Sequence, residues 1–172
     1  MLPLDPPLTA GARPTWMNPD RPFDDEAHAA FALDPEDPAR QSEFARHLLE
    51  RDPENVWAMT VLATNAESLT ERLAMLREAL RVGVRLWRPE LSGRAPAPDW
   101  GADPDSRTFL AAIVAYAVSL ADAGHRTEAM DTLILVLELD PLDRIGAAET
   151  MRRRGGIDDG DCHDEQGAVP RF

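Results

Sequence analysis

The side chains best suited to chemistry cluster near the C-terminus. Carboxylates, a thiol and an imidazole fall within one short stretch, namely Asp158, Asp159, Asp161, Cys162, His163, Asp164 and Glu165. Such groups bind divalent cations, but they lack a repeated ligand spacing, and the acidic run is not a twelve-residue calcium loop. Cys162 and His163 are adjacent, so their side chains point apart in an extended chain. We therefore interpret 154–172 as an acidic flexible tail with no metal site.

Other catalytic groups are few. All 18 basic residues are arginines, which excludes a lysine Schiff base, a phosphate-loop lysine and a lysine general base. His28, His47 and His125 lack paired metal-ligand spacing, and no serine stands in a nucleophile elbow. The single cysteine can form neither an internal disulfide nor a four-cysteine zinc site. The sequence predicts no catalytic residue, no cofactor and no enzymatic activity.

Charge limits the range of partners. With 31 acidic residues against 18 basic ones, the formal net charge of the 172-residue chain is −13. This charge disfavours nucleic acid, because phosphate binding needs a basic face, and it disfavours anionic membranes. Apolar runs are too short to span a bilayer, and the N-terminus has no signal-peptide pattern. We expect a cytoplasmic protein that binds neither nucleic acid nor membrane.

Prolines and apolar periodicity divide the chain into an arm, a helical domain and the tail. Residues 1–23 contain six prolines and form a proline-rich arm, although Trp16, Met17 and Phe23 could pin it onto the body. Residues 24–153 show short helical periods and are interrupted by a proline-rich loop at 88–105. Trp100 in this loop is expected to anchor it against the core. The fold class predicted is all-α, built of antiparallel helix hairpins.

Helix boundaries follow from capping and stop signals. Helices are predicted over 24–33, 38–51, 54–67, 68–87, 105–123, 127–139 and 143–153. Ser68 and Glu71 have capping-box spacing, Asp105 or Ser106 and then Thr127 are predicted N-caps, and Gly124 fits a left-handed C-cap. The helix before Pro141 is apolar almost all round, which predicts cover on more than one side. Along 68–87 the predicted buried stripe is Leu73, Leu76, Leu80, Val84 and Trp87.

Internal similarity gives the clearest family signal. Three predicted helices end in an Asp-Pro step, and key residues of the last unit are Leu110, Ala117, Gly124, Ala129 and Pro141. Their spacing resembles the tetratricopeptide repeat, a 34-residue helix–turn–helix unit. The stretch 71–146 also resembles bacterial relatives of the suppressor-of-tumorigenicity family, through Arg-Leu-Ala-Met-Leu-Arg-Glu-Ala at 72–79 and Ser-Arg-Thr-Phe-Leu-Ala-Ala from Ser106. These resemblances imply a short α-solenoid or helical bundle and no known reaction.

The resemblance also implies where a partner would bind. First helices of tetratricopeptide hairpins line the groove, so the candidate partner-binding residues are Arg107, Ala111, Val114, Val118 and Ala121. The family's lysine and asparagine clamps are absent from these positions, so apolar contact should dominate, with Arg107 at the rim. The predicted function is a non-catalytic scaffold for a protein or peptide.

Two other functions stay open at this point. A small ligand or substrate could bind between the helices and the 88–105 loop, near Trp100, Tyr116 and His125. Alternatively, the chain could be a structural oligomerisation module, for instance a homodimer formed through exposed apolar helix faces.

Overall fold

The computed structural model describes residues 37–155, and this part of the chain is all-α, as the sequence predicts. Its helices are α1 (Pro38–Arg51), α2 (Val56–Thr64), α3 (Leu69–Leu86), α4 (Arg88–Leu91), α5 (Pro104–Asp122), α6 (Arg126–Leu139) and α7 (Ala147–Gly155). The predictions for the arm 1–23 and the helix 24–33 lie outside the described residues, as does most of the tail. Residues 154–155, predicted as the start of the tail, belong to α7.

Side-chain caps explain the starts of α1, α2 and α3. Asp37 accepts a hydrogen bond from the amide of Arg40 at 2.9 Å, and Pro38 fills the first turn. Asn55 caps α2 through the amide of Ala58 at 2.9 Å. Ser68 Oγ accepts from the amide of Glu71 at 3.1 Å, so the predicted cap of α3 is confirmed. Each bond satisfies an amide that has no partner within the helix.

Two predicted N-caps and one helix start are wrong. Helix α5 begins at Pro104 and is capped by Asp103, whose Oδ1 accepts from the amides of Asp105 and Ser106 at 3.1 and 3.0 Å. Helix α6 begins at Arg126, before Thr127, without a side-chain cap. The last helix begins at Ala147 rather than Asp143, because the Asp143 carboxylate accepts from the Ala147 amide at 2.6 Å.

Hydrogen bonds and ion pairs between helix ends show the relative direction of the helices. Asn65 at the end of α2 bonds back to the start of α1, and Arg85 at the end of α3 pairs with Glu54 before α2. Arg72 pairs across α3 and α5 with Asp122, whose other partner is Arg154 at the end of α7. Helices α1, α3 and α6 therefore point one way, and α2, α5 and α7 point the other way. Helix α5 packs on both α2 and α7, so these three helices form one row, with α1, α3 and α6 along its other side.

The α5–α6 hairpin forms the centre of the core. It turns at Gly124, whose φ of +85° is left-handed as predicted, and its buried residues include Leu110, Ile113, Ala117, Leu133 and Val136.

In α3 the predicted stripe is partly wrong, because Val84 is 51% exposed and Ala79 and Val82 are buried instead. The Phe109 ring lies directly on the backbone of Gly83, where a Cβ would stand 2.3 Å from it, and this contact turns Val84 outward.

Candidate functional site

The five predicted partner-binding residues share one flank of α5, and they differ in accessibility. Arg107 and Ala111 are exposed, Val118 and Ala121 are half-buried, and Val114 packs against the core cluster. Helix α7 runs beside this flank: its Ala147 belongs to the same cluster, and its Arg154 pairs with Asp122. The flank therefore offers a partner little apolar surface.

The proline-rich loop packs on the core around Trp100. Trp100 is only 6% exposed, and its ring centroid lies 5.2 Å from that of Trp87 and 6.4 Å from that of Phe109. The buried Ser106 donates from Oγ to the Trp100 carbonyl at 2.9 Å. The prediction that Trp100 anchors the loop against the core is confirmed.

The three residues of the alternative pocket do not come together. Trp100 contacts Phe109 near the start of α5, whereas His125 follows the end of that helix, about 20 Å further along at 1.5 Å per residue. Tyr116 lies between them, and its hydroxyl accepts a hydrogen bond from Arg77 Nε at 3.2 Å. This bond raises the pKa of the Arg77 guanidinium, and the charge of Glu128 on α6 adds to the effect.

A polar clasp joins the loop to the turn after α6. The Asp140 carboxylate is 3% exposed and accepts from the Arg144 amide at 2.7 Å. The Arg144 guanidinium bonds Asp99 in the loop at 2.5 Å, which raises the pKa of Arg144. Gly101 lies so close to this carboxylate that a Cβ would stand 2.2 Å from Asp140 Oδ2. These polar contacts join the loop to the turn that follows α6.

The largest departure from expectation is the outer surface of α6. Helix α6 packs against both α5 and α7, so the prediction that it is covered on more than one side is confirmed, yet Ile134 and Leu135 remain 44% and 45% exposed. Asp131 and Glu138 are exposed one turn before and one turn after the pair. We call the surface of Asp131, Ile134, Leu135 and Glu138 the outer α6 face. Leu142, in the turn beyond it, is 72% exposed.

The charges of the outer α6 face are unpaired within the described part of the chain. Several surface carboxylates elsewhere pair with arginines, as in the Glu78–Arg81, Glu54–Arg85 and Glu149–Arg153 pairs. Asp131 and Glu138 make no ion pair with any residue of 37–155. The sequence carries a signal for this surface, since no basic residue follows Arg126 in α6. The apolar content of α6 does not by itself distinguish a buried face from an exposed one.

No three histidine, cysteine, aspartate or glutamate side chains within residues 37–155 are arranged to hold a metal ion. Cys162 and His163 lie outside this range. None of the described helices combines the length and the apolar character that a bilayer span requires.

The comparisons with known proteins return no relatives. No protein-family model matches the chain, and neither the curated proteins nor the solved structures include a match to it.

Proposed function

We propose that this protein is a non-catalytic protein-binding module of the tetratricopeptide type, working in the cytoplasm. The observation that carries the proposal is the outer α6 face, where two large aliphatic side chains stay about 45% exposed although the rest of the hairpin is closely packed. Exposed apolar surface with a polar surround is typical of protein interaction sites. The alternating helix directions and the row of α2, α5 and α7 support the repeat interpretation.

The outer α6 face is a better candidate than the α5 flank or the loop. On the α5 flank only Arg107 and Ala111 are exposed, and Val114 and Val118 are partly buried. The side chains that could have lined a ligand pocket at the loop are occupied by packing around Trp100 and by the Asp140 clasp. A structural homodimer through α6 would bring like carboxylates together, which is unfavourable.

The test is quantitative affinity capture with the full chain, followed by calorimetry with each purified partner. We expect the double variant Ile134→Ser/Leu135→Ser to weaken binding about tenfold or more, because a few residues at the centre of an interface carry most of its binding energy. Val84→Ser removes an equally exposed apolar side chain from α3 and should leave the dissociation constant unchanged. Equal binding by the wild type and the α6 double variant would contradict the proposal.

A further inference from the structure

The outer α6 face is complementary in charge and apolar character to another segment of this chain. On the face, an exposed aliphatic pair lies between two carboxylates, in the order Asp131, Ile134, Leu135, Glu138. Between Arg13 and Arg21 the chain carries the apolar pair Trp16-Met17, and Phe23 follows. We propose that residues 13–23 dock on the outer α6 face and compete there with the partner. The inference concerns regulation of the proposed binding site and rests on that function for its consequence.

Charge favours this segment over a second copy of the chain. Residues 13–23 contain two arginines and one aspartate, so their net charge is 2 − 1 = +1 in a chain whose total is −13. Asp131 and Glu138 have no cationic partner within residues 37–155. A second α6 would present the same two carboxylates and repel the first, whereas Arg13 and Arg21 offer two arginines for two carboxylates.

The apolar side chains of residues 13–23 also favour this segment as the occupant of the outer α6 face. Trp16, Met17 and Phe23 supply the aromatic and thioether side chains that are enriched at protein interfaces. Ile134 and Leu135 stay nearly half exposed, so contact with such side chains would remove a large apolar area from water.

The intervening chain is long enough. From Phe23 to Asp37 there are 14 residues, which span about 46 Å when extended. Helix α6 is separated from α1 by α2, α3 and α5, and four successive helix packings of 8–10 Å give at most about 40 Å. Helices α1 and α6 point the same way, so their N-terminal ends lie at the same end of the domain. Asp37 directly precedes α1, and Asp131 lies in the first half of α6. The tether makes docking an intramolecular event, whose effective concentration is set by the length and stiffness of the linker.

The test is paramagnetic broadening of backbone amide signals in the full chain. Cys162→Ser removes the native thiol, and Thr15→Cys places a nitroxide beside Trp16. We expect the amides of 131–138 to lose most of their intensity, while those on the remaining surfaces keep theirs. The same labelled chain carrying Trp16→Ser/Met17→Ser should recover the α6 signals, and so should the one carrying Ile134→Ser/Leu135→Ser. Circular dichroism checks that each variant keeps its helices.

Other occupants give different results. A mixture of nitroxide-labelled chain with unlabelled, isotope-enriched chain should leave the enriched signals unchanged, and broadening of 131–138 in that mixture would overturn the proposal in favour of a second copy. Broadening that avoids α6 or falls equally on all helices would also overturn it.

This test and that of the proposed function fail independently. Broadening on α6 requires no partner, so it can be seen even if affinity capture finds none. A partner lost with Ile134→Ser/Leu135→Ser, together with an α6 that the nitroxide leaves sharp, would uphold the binding module and reject the docked segment. If both hold, Trp16→Ser/Met17→Ser should tighten partner binding, because more of the face is then free.

Discussion

The loop at 92–103 and the surface of α6 have opposite relations to the core. The loop is rich in proline and has no regular structure, yet Trp100 is buried and Asp99 is bonded across to Arg144. Helix α6 is regular and mostly apolar, yet Ile134 and Leu135 face outward beside carboxylates that have no cation within residues 37–155. The difference teaches that regular secondary structure and apolar composition do not decide which surface is available to a partner. Buried, hydrogen-bonded polar groups tie the loop to the fold, whereas the outer α6 face leaves its aliphatic pair and its two carboxylates exposed to water.

The largest expected loss of stability comes from a substitution in the loop. Trp100→Ala removes a buried ring from between Trp87 and Phe109, and large-to-small changes of this kind cost about 3–5 kcal/mol. The free energy of unfolding, measured by urea titration, should fall by that amount. A change no larger than that of a surface substitution would show that the loop does not belong to the core.

The next largest loss of stability is expected from a substitution at the contact between Gly101 and Asp140. Gly101→Ala places a methyl group against a buried carboxylate, and such overpacking costs about 1–3 kcal/mol. In a double-mutant cycle with Asp140→Ala, the cost of Gly101→Ala should largely disappear, because the clashing group is gone. Additive losses of unfolding free energy would contradict the contact.

A single hydrogen bond tests the polar side of the loop. Ser106→Ala removes the donor to the Trp100 carbonyl and leaves a buried acceptor without this partner, which costs about 1–2 kcal/mol. The matched control is Thr108→Ala, whose hydroxyl bonds only its own helix at Pro104 and should change stability less. Equal losses in the two variants would argue against the special role of Ser106.

The smallest expected effect on stability belongs to α6. Ile134→Ser/Leu135→Ser changes side chains that are already nearly half exposed, so we expect the free energy of unfolding to change by less than about 1 kcal/mol. Urea titration beside Trp100→Ala checks this. A loss as large as that of Trp100→Ala would mean that the face contributes to the core instead of a binding surface.

Much of the fold followed from local signals. Ser68 and Gly124 act within a few residues, so their capping roles could be predicted from spacing. Trp100 could be assigned to the core because a tryptophan in a polar loop needs apolar cover. Asp103 was missed as a cap because three polar candidates follow one another, and only the position of Pro104 at the first turn decides among them.

The candidate site depended on tertiary contacts that spacing does not contain. Val84 is exposed because the Phe109 ring occupies the backbone of Gly83, a contact between helices 26 positions apart in the sequence. The partial burial of Val114 likewise depends on the core cluster to which Ala147 of α7 contributes. Helical periodicity places Ile134 and Leu133 on different faces, but it does not say how many of those faces receive a neighbour.

Site-specific photo-crosslinking in cells tests most directly the claim that the outer α6 face binds another protein. The photoreactive residue p-benzoylphenylalanine would replace Leu135 in one variant of the full chain and Val84 in another, since the two sites are similarly exposed. The account predicts a crosslinked product with a second protein from position 135 and none from position 84. The same products from both positions, or no product with another protein from position 135, would contradict it.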